Sequence, residues 1–320
     1  MFSTNILMDA SIDYDLTRKI PTSSIVFLGL GLILMIALAV VLYKVIKHFG
    51  PSMIRSMLFG VVAYLLLGGM LVQILTQLPL MIKPVADFLL ANRPAAMIYS
   101  FMMVCIIEEG GRFFVVKYMD RRHAKLGDML LMGLGYGIGA TILANGTAIV
   151  SNIGLMASIN SAGMTELTAG MTGTDLENAV QVFRDFVETP FIDYICMSIE
   201  QCAQMVFHIC MTYIVYRIFT EKRPVMLLAA MGIHAVFVVP SVLYQLNVIK
   251  IIYITTPIML ILTGLLVKWT YGQIKPFKTE VVKQPKAAKT EKNIAKNATT
   301  VPGKKSMPKY DNSASANDEE

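Results

Sequence analysis

The chain has 320 residues, 55% of them hydrophobic and only 16% charged, with a formal net charge of +6 and a mean hydropathy of +0.59. This balance excludes an ordinary soluble domain. The apolar residues fall in runs of about twenty, the length that crosses a bilayer as a helix, so the predicted fold class is an all-α, polytopic membrane bundle of about seven spans.

Residues 1–24 carry Asp9, Asp13, Asp15, Arg18 and Lys19 and lack the short apolar core and cleavage site of a signal peptide, so they form a short external segment before an uncleaved anchor. The first span is predicted from Ile25 to Tyr43 and is followed by Lys44, Lys47 and Arg55, which places that end in the cytoplasm. A second span, Met57 to Leu75, returns outward. Pro79 to Arg93 holds Lys83 and Asp87 and reads as interfacial rather than spanning. The third span, Pro94 to Met119, exits into the basic stretch Lys117 to Lys125.

The fourth span begins near Gly127 and carries Gly133, Gly135, Gly137 and Gly139, small residues at a spacing that lets neighbouring helices approach closely. Asn160 to Thr189 contains several acids and one basic residue, Arg184, as expected of an external loop. Spans five (Pro190 to Phe219), six (Val225 to Gln245) and seven (Ile249 to Tyr271) complete a transmembrane domain over 25–271. Residues 272–320 are rich in Lys, Ala, Asn, Pro and Ser and are expected to form a basic, disordered cytoplasmic tail. With the N terminus outside and the C terminus inside, every basic cluster is cytoplasmic. Cys105, Cys196, Cys202 and Cys210 all fall within spans without metal-ligand spacing and read as packing residues.

Glu108, Glu109 and Arg112 interrupt the third span. Ionised groups at a helix centre cost about 2.5 to 3.5 kcal/mol each on insertion scales. Arg112 lies three and four residues after the two carboxylates, so either can neutralise it and the other is left for another task. His208 on span five and His234 on span six are the other candidates, with Glu200 and Gln204 as supporting polar groups. At 1.5 Å per residue, Glu109 lies ~18 Å from Arg121, His208 ~14 Å from Arg217 and His234 ~15 Å from Pro224. The three helices thus place polar side chains at a similar depth. Glu200, Gln204, His208 and Thr212 also recur every four residues, a polar stripe that must face protein or water. His123, in a basic loop, reads as a surface residue.

A carboxylate beside imidazoles can deprotonate a water and return the proton to a leaving amine, and an imidazole can donate to an oxyanion. The same side chains, His208, His234 and Glu108, can alternatively ligate a divalent metal such as zinc. There is no His-Glu-x-x-His, Gly-x-Ser-x-Gly or Walker-type loop. Two other classes use the same residues: a non-enzymatic binding or immunity-type protein with a structural ion pair, and an ion-coupled transporter, although no internal repeat is visible.

Glu108-Glu109-x-x-Arg112, Phe207-His208 and His234, in this order on spans three, five and six, resemble the YhfC family of intramembrane metalloproteases. That family is grouped with the prenyl endopeptidases, bacteriocin-processing enzymes and PrsW-type proteases. The resemblance implies a peptidase of the cell membrane, in a bacterial plasma membrane, acting on a membrane-bound or membrane-entering peptide. It implies that Glu108 is the water-activating base, that Arg112 holds Glu109, and that His208 and His234 complete the site. Metal dependence stays open, because the prenyl endopeptidases use Glu and His without one. Position 238, where those enzymes usually carry Asn or Asp, is Val.

Overall fold

The computed structural model describes residues 14–50, 52–246 and 248–297, with side chains as far as 274. Helix α1, Thr22–Lys47, buries one stripe (Leu28, Gly31, Met35, Ala39, Ile46) and leaves Val26, Leu30, Ile33 and Val40 outward. An outward apolar face of this length suits lipid. Helix α2, Ile54–Tyr64, runs through a π-helical turn, Leu65–Leu71, into α3, Val72–Gln77, and a 3-10 turn, Leu78–Met81. Helix α4, Lys83–Ala91, is bent by 113° against α5, Arg93–Arg121. Nine residues are too short to cross a bilayer, in keeping with the interfacial reading of this stretch. Asn92 caps α5 by accepting from the Ala95 amide at 3.1 Å, and Pro94 occupies the first turn, where a missing N–H is harmless.

Helix α6, Leu126–Ile138, passes through a second π-helical turn, Gly139–Asn145, into α7, Gly146–Ala162. The glycine run in α6 has two faces. A Cβ at Gly133 or Gly137 would meet Ile209 and Met205 of α10, whereas one at Gly135 or Gly139 would meet Met57 and Tyr64 of α2. Each pair is four residues apart, so α6 and the start of the π-helical turn that follows it are clasped on both sides. Gly135→Ala is therefore expected to lower stability by roughly 1 to 3 kcal/mol, because the obstacle is the Met57 carbonyl and not a pliable side chain. Gly154→Ala on α7 meets nothing and should be neutral or slightly stabilising. Thermal unfolding in detergent compares the two; equal melting temperatures would refute the clasp.

The connection Asn160–Thr189 is not irregular. It holds the short α8, Met164–Leu167, and the amphipathic α9, Gly173–Glu188, whose Val180, Phe183, Phe186 and Val187 are buried. They pack with Ile20, Leu28, Met156 and Tyr194, and Asn160 exchanges hydrogen bonds with the Ile20 backbone at 2.8 and 2.9 Å. Two segments that the charge pattern assigns to one side of the membrane thus form one cap. Residues 1–13 of the predicted external segment lie outside the described residues.

Helix α10, Phe191–Glu221, is the central post, in contact with α1, α5, α6 and α11, Met226–Gln245. Helix α12 is Ile252–Asn297. The chain divides into Met1–Ile274 and Lys275–Glu320. The side chains of the predicted tail beyond Ile274, and all of residues 298–320, lie outside the described residues. Among the described residues six helices are long and apolar enough to cross a membrane, or seven if the bent α4–α5 pair counts as one span. Among the described residues there is no strand, so the protein is an all-α, polytopic membrane bundle.

Candidate active site

Helix α5 turns one stripe inward, Cys105, Glu108, Glu109, Arg112, Val116 and Met119, at helical spacing. Arg112, fully buried, is the hub. Its Nε lies 3.4 Å from Glu109 Oε2, and its Nη2 lies 3.9 Å from Glu108 Oε2. Nη1 donates to the His208 carbonyl at 3.0 Å and the Thr212 hydroxyl at 3.4 Å, while Nη2 meets His208 Nδ1 at 2.9 Å. The other oxygen of Glu109, Oε1, meets His234 Nδ1 at 2.8 Å. Glu109 therefore bridges Arg112 and His234, and side chains of α5, α10 and α11 form one connected cluster.

These contacts set the tautomers. A guanidinium can only donate, so His208 Nδ1 accepts and the ring carries its proton on Nε2. The Glu109 carboxylate, which also faces Arg112, accepts from His234 Nδ1–H, so Nε2 is the ring nitrogen turned away from Glu109. His208 Nε2 and Glu108 Oε2 are buried without a hydrogen-bond partner, the latter with only the longer Arg112 contact. Buried polar atoms normally find partners, and a cluster without them marks groups available to a reactant.

Aromatic rings wall the cluster. Arg112 lies over Tyr136, its Cζ 4.4 Å from the ring centroid, a cation-π contact that supports the charge from α6. Tyr136 also packs on His208 at 5.1 Å and on Tyr64 at 5.2 Å. Phe207 lies 5.1 Å from His234 and stacks on Phe237 at 3.9 Å. Glu108 Oε1 faces Gly68 in the first π-helical turn, where an added Cβ would sit 3.1 Å away. Such turns recur at functional sites because they re-aim backbone and side chains.

Of the residues singled out in the sequence, Glu108, Glu109, Arg112, His208 and His234 come together. Glu200 does not join them: its Oε1 accepts from Thr255 at 2.7 Å and Thr256 at 2.8 Å, tying α10 to α12. A four-residue stripe drifts about 40° per step, so Glu200 is turned some 80° from His208. Gln204, half-buried, lies on the turn between them, and His123 is exposed in a left-handed turn.

His208, His234 and Glu108 do not fit a metal as they are placed. A nitrogen that ligates must offer a lone pair, and the Arg112 contact leaves His208 with a protonated Nε2. Among the described residues no group of three His, Cys, Asp or Glu has the geometry to hold an ion.

The chain matches the family described as "YhfC intramembrane metalloprotease" over residues 34–259, a stretch that contains the whole cluster. It is 29% identical to the "Uncharacterized membrane protein YhfC" of Bacillus subtilis (strain 168) over 228 residues, covering 70% of this chain and 85% of that protein. No solved structure matches. With the fold and the match covering the same helices, the chain belongs to the YhfC intramembrane metalloprotease family.

Proposed function

We propose that the protein is a membrane-embedded peptidase in which Glu108 activates water and the two imidazoles complete the site. The observation that carries this reading is the convergence of Glu108, Glu109–His234 and Arg112–His208 from three helices, with Glu108 Oε2 and His208 Nε2 making no hydrogen bond within the protein. Glu108 takes one proton from water as the oxygen attacks the peptide carbonyl carbon. The His234 Nε2 lone pair accepts a hydrogen bond from the other water hydrogen and orients the nucleophile. His208 Nε2–H donates to the oxyanion. When the C–N bond breaks, Glu108 passes its proton to the leaving amine, and the site returns to its starting charge. The family's name implies a metal; no step here uses one, because the tautomer imposed on His208 withholds the required lone pair.

Glu109 does for His234 what an Asn or Asp at position 238 would otherwise do, holding Nδ1 and aiming Nε2. The substrate is a peptide segment in or entering the membrane. Glu108, 6% exposed, is the least enclosed member of the cluster, and it faces Gly68 of the Leu65–Leu71 turn.

The test profiles protein N termini in membranes of cells expressing the wild type or His208→Ala. New N termini should appear with the wild type only. In purified protein, the same cleavage should survive millimolar chelator and occur with less than one zinc, iron or manganese per chain. Identical N termini in both strains would overturn the peptidase reading, and stoichiometric metal with chelator-sensitive cleavage would overturn the metal-free mechanism.

A further inference from the structure

A second candidate site lies away from this cluster and shares no residue with it. A cavity of about 970 Å³ opens where the end of α1, the start of α2 and the α5–α6 turn meet. Lys47, Arg55, Arg122 and Lys125 line it. They come from two basic stretches more than sixty residues apart, which the fold brings to one end of the bundle.

The charges there are uncompensated. Among the described residues none of the four takes part in an ion pair. Lys47 Nζ donates to the Ser52 carbonyl at 2.7 Å, and Arg122 lies 5.4 Å over the Tyr118 ring. The acid in the wall, Asp128, is buried and already committed. It accepts from the Met53 amide and the Ser56 hydroxyl at 2.9 Å and from the Lys125 amide at 3.3 Å. A second observation points to a ligand: the Ser52 hydroxyl, in the same wall, is buried without a hydrogen-bond partner. Phe59, Tyr118 and Met119 supply an apolar flank beside the charges.

A cavity with four unpaired cations, a spare hydroxyl donor and an apolar flank has the chemistry to recognise a phosphate group attached to something greasy. We propose that this cavity binds a phosphate-bearing anion, with the headgroup of an anionic membrane lipid as the favoured source because of the apolar flank. Clusters of Lys and Arg beside spans hold such headgroups electrostatically, and a hydroxyl donor adds direction to the contact.

The experiment is native mass spectrometry of the full chain in a neutral detergent, titrated separately with dioctanoyl phosphatidylglycerol, dioctanoyl phosphatidylcholine and inorganic phosphate. The wild type should bind one phosphatidylglycerol saturably, more tightly than phosphatidylcholine and more weakly as salt rises. The exposed pair R55Q/R122Q should weaken that binding roughly 30-fold, and Ser52→Ala should weaken it less. Should the double variant elute as aggregate, Lys47→Gln with Lys125→Gln serves the same purpose. Inorganic phosphate binding as tightly as the lipid, and lost in the same variants, upholds the anion site and assigns it to a soluble phosphate. Equal binding of phosphatidylglycerol and phosphatidylcholine, or unchanged phosphatidylglycerol binding in a folded charge variant, overturns the proposal.

Discussion

Glu108→Gln is expected to lower peptide cleavage by roughly a thousandfold while leaving the protein folded, the range attributed to a positioned general base. The amide keeps the size of the side chain and its neighbours, Gly68 on one side and Arg112 on the other, but it cannot take a proton from water. Stability should hold or rise slightly, since one buried negative charge disappears while Glu109 still balances Arg112. Cleavage rate and thermal midpoint, measured on the same purified sample, separate this outcome from a structural ion pair. Loss of folded protein in step with loss of activity would support a purely structural cluster, and wild-type cleavage would remove Glu108 as the base.

Arg112→Leu should have the opposite profile, a loss of about 3 to 5 kcal/mol in stability, because it strands two buried carboxylates without their cation. The His208 carbonyl and the Thr212 hydroxyl lose a donor as well. Adding Glu109→Gln to this variant should recover part of the loss, since one stranded charge then remains instead of two. The non-additivity of the two changes measures their coupling. Arg112→Lys keeps the charge but cannot reach Glu109, the His208 carbonyl and His208 Nδ1 together. Its expected signature is nearly intact expression with cleavage falling much further than stability, because the His208 tautomer is no longer held. Simple additivity of Arg112→Leu and Glu109→Gln would contradict the hub.

Much of the architecture is legible in the sequence because membrane insertion enforces long apolar runs. The site is legible for a related reason: ionised groups are expensive in hydrocarbon, so Glu108, Glu109 and Arg112 stand out and the matched depths of His208 and His234 point to them. The same count finds more. At 1.5 Å per residue, Tyr64 lies ~15 Å from Ile54 and Tyr136 ~15 Å from Leu126, the depth of the histidines, and both rings line the cluster. Their neutrality hides them from a search for charge. Glu200 illustrates the converse. A four-residue stripe suggests one face, but the helical period turns it toward Thr255 and Thr256, whose hydroxyls carry no signal beyond a helix-favouring context. The two π-helical turns and the folded cap of α8 and α9 depend on tertiary packing that local pattern does not encode.

The ¹⁵N imidazole spectrum of histidine-labelled protein reads the two tautomers directly. His208 should be protonated at Nε2 with a bare Nδ1, and His234 should be protonated at Nδ1 through its bond to Glu109. The first pattern should be lost in Arg112→Lys and the second in Glu109→Gln. A His208 protonated at Nδ1, or either imidazole with the shift of a metal-bound nitrogen, would contradict these assignments.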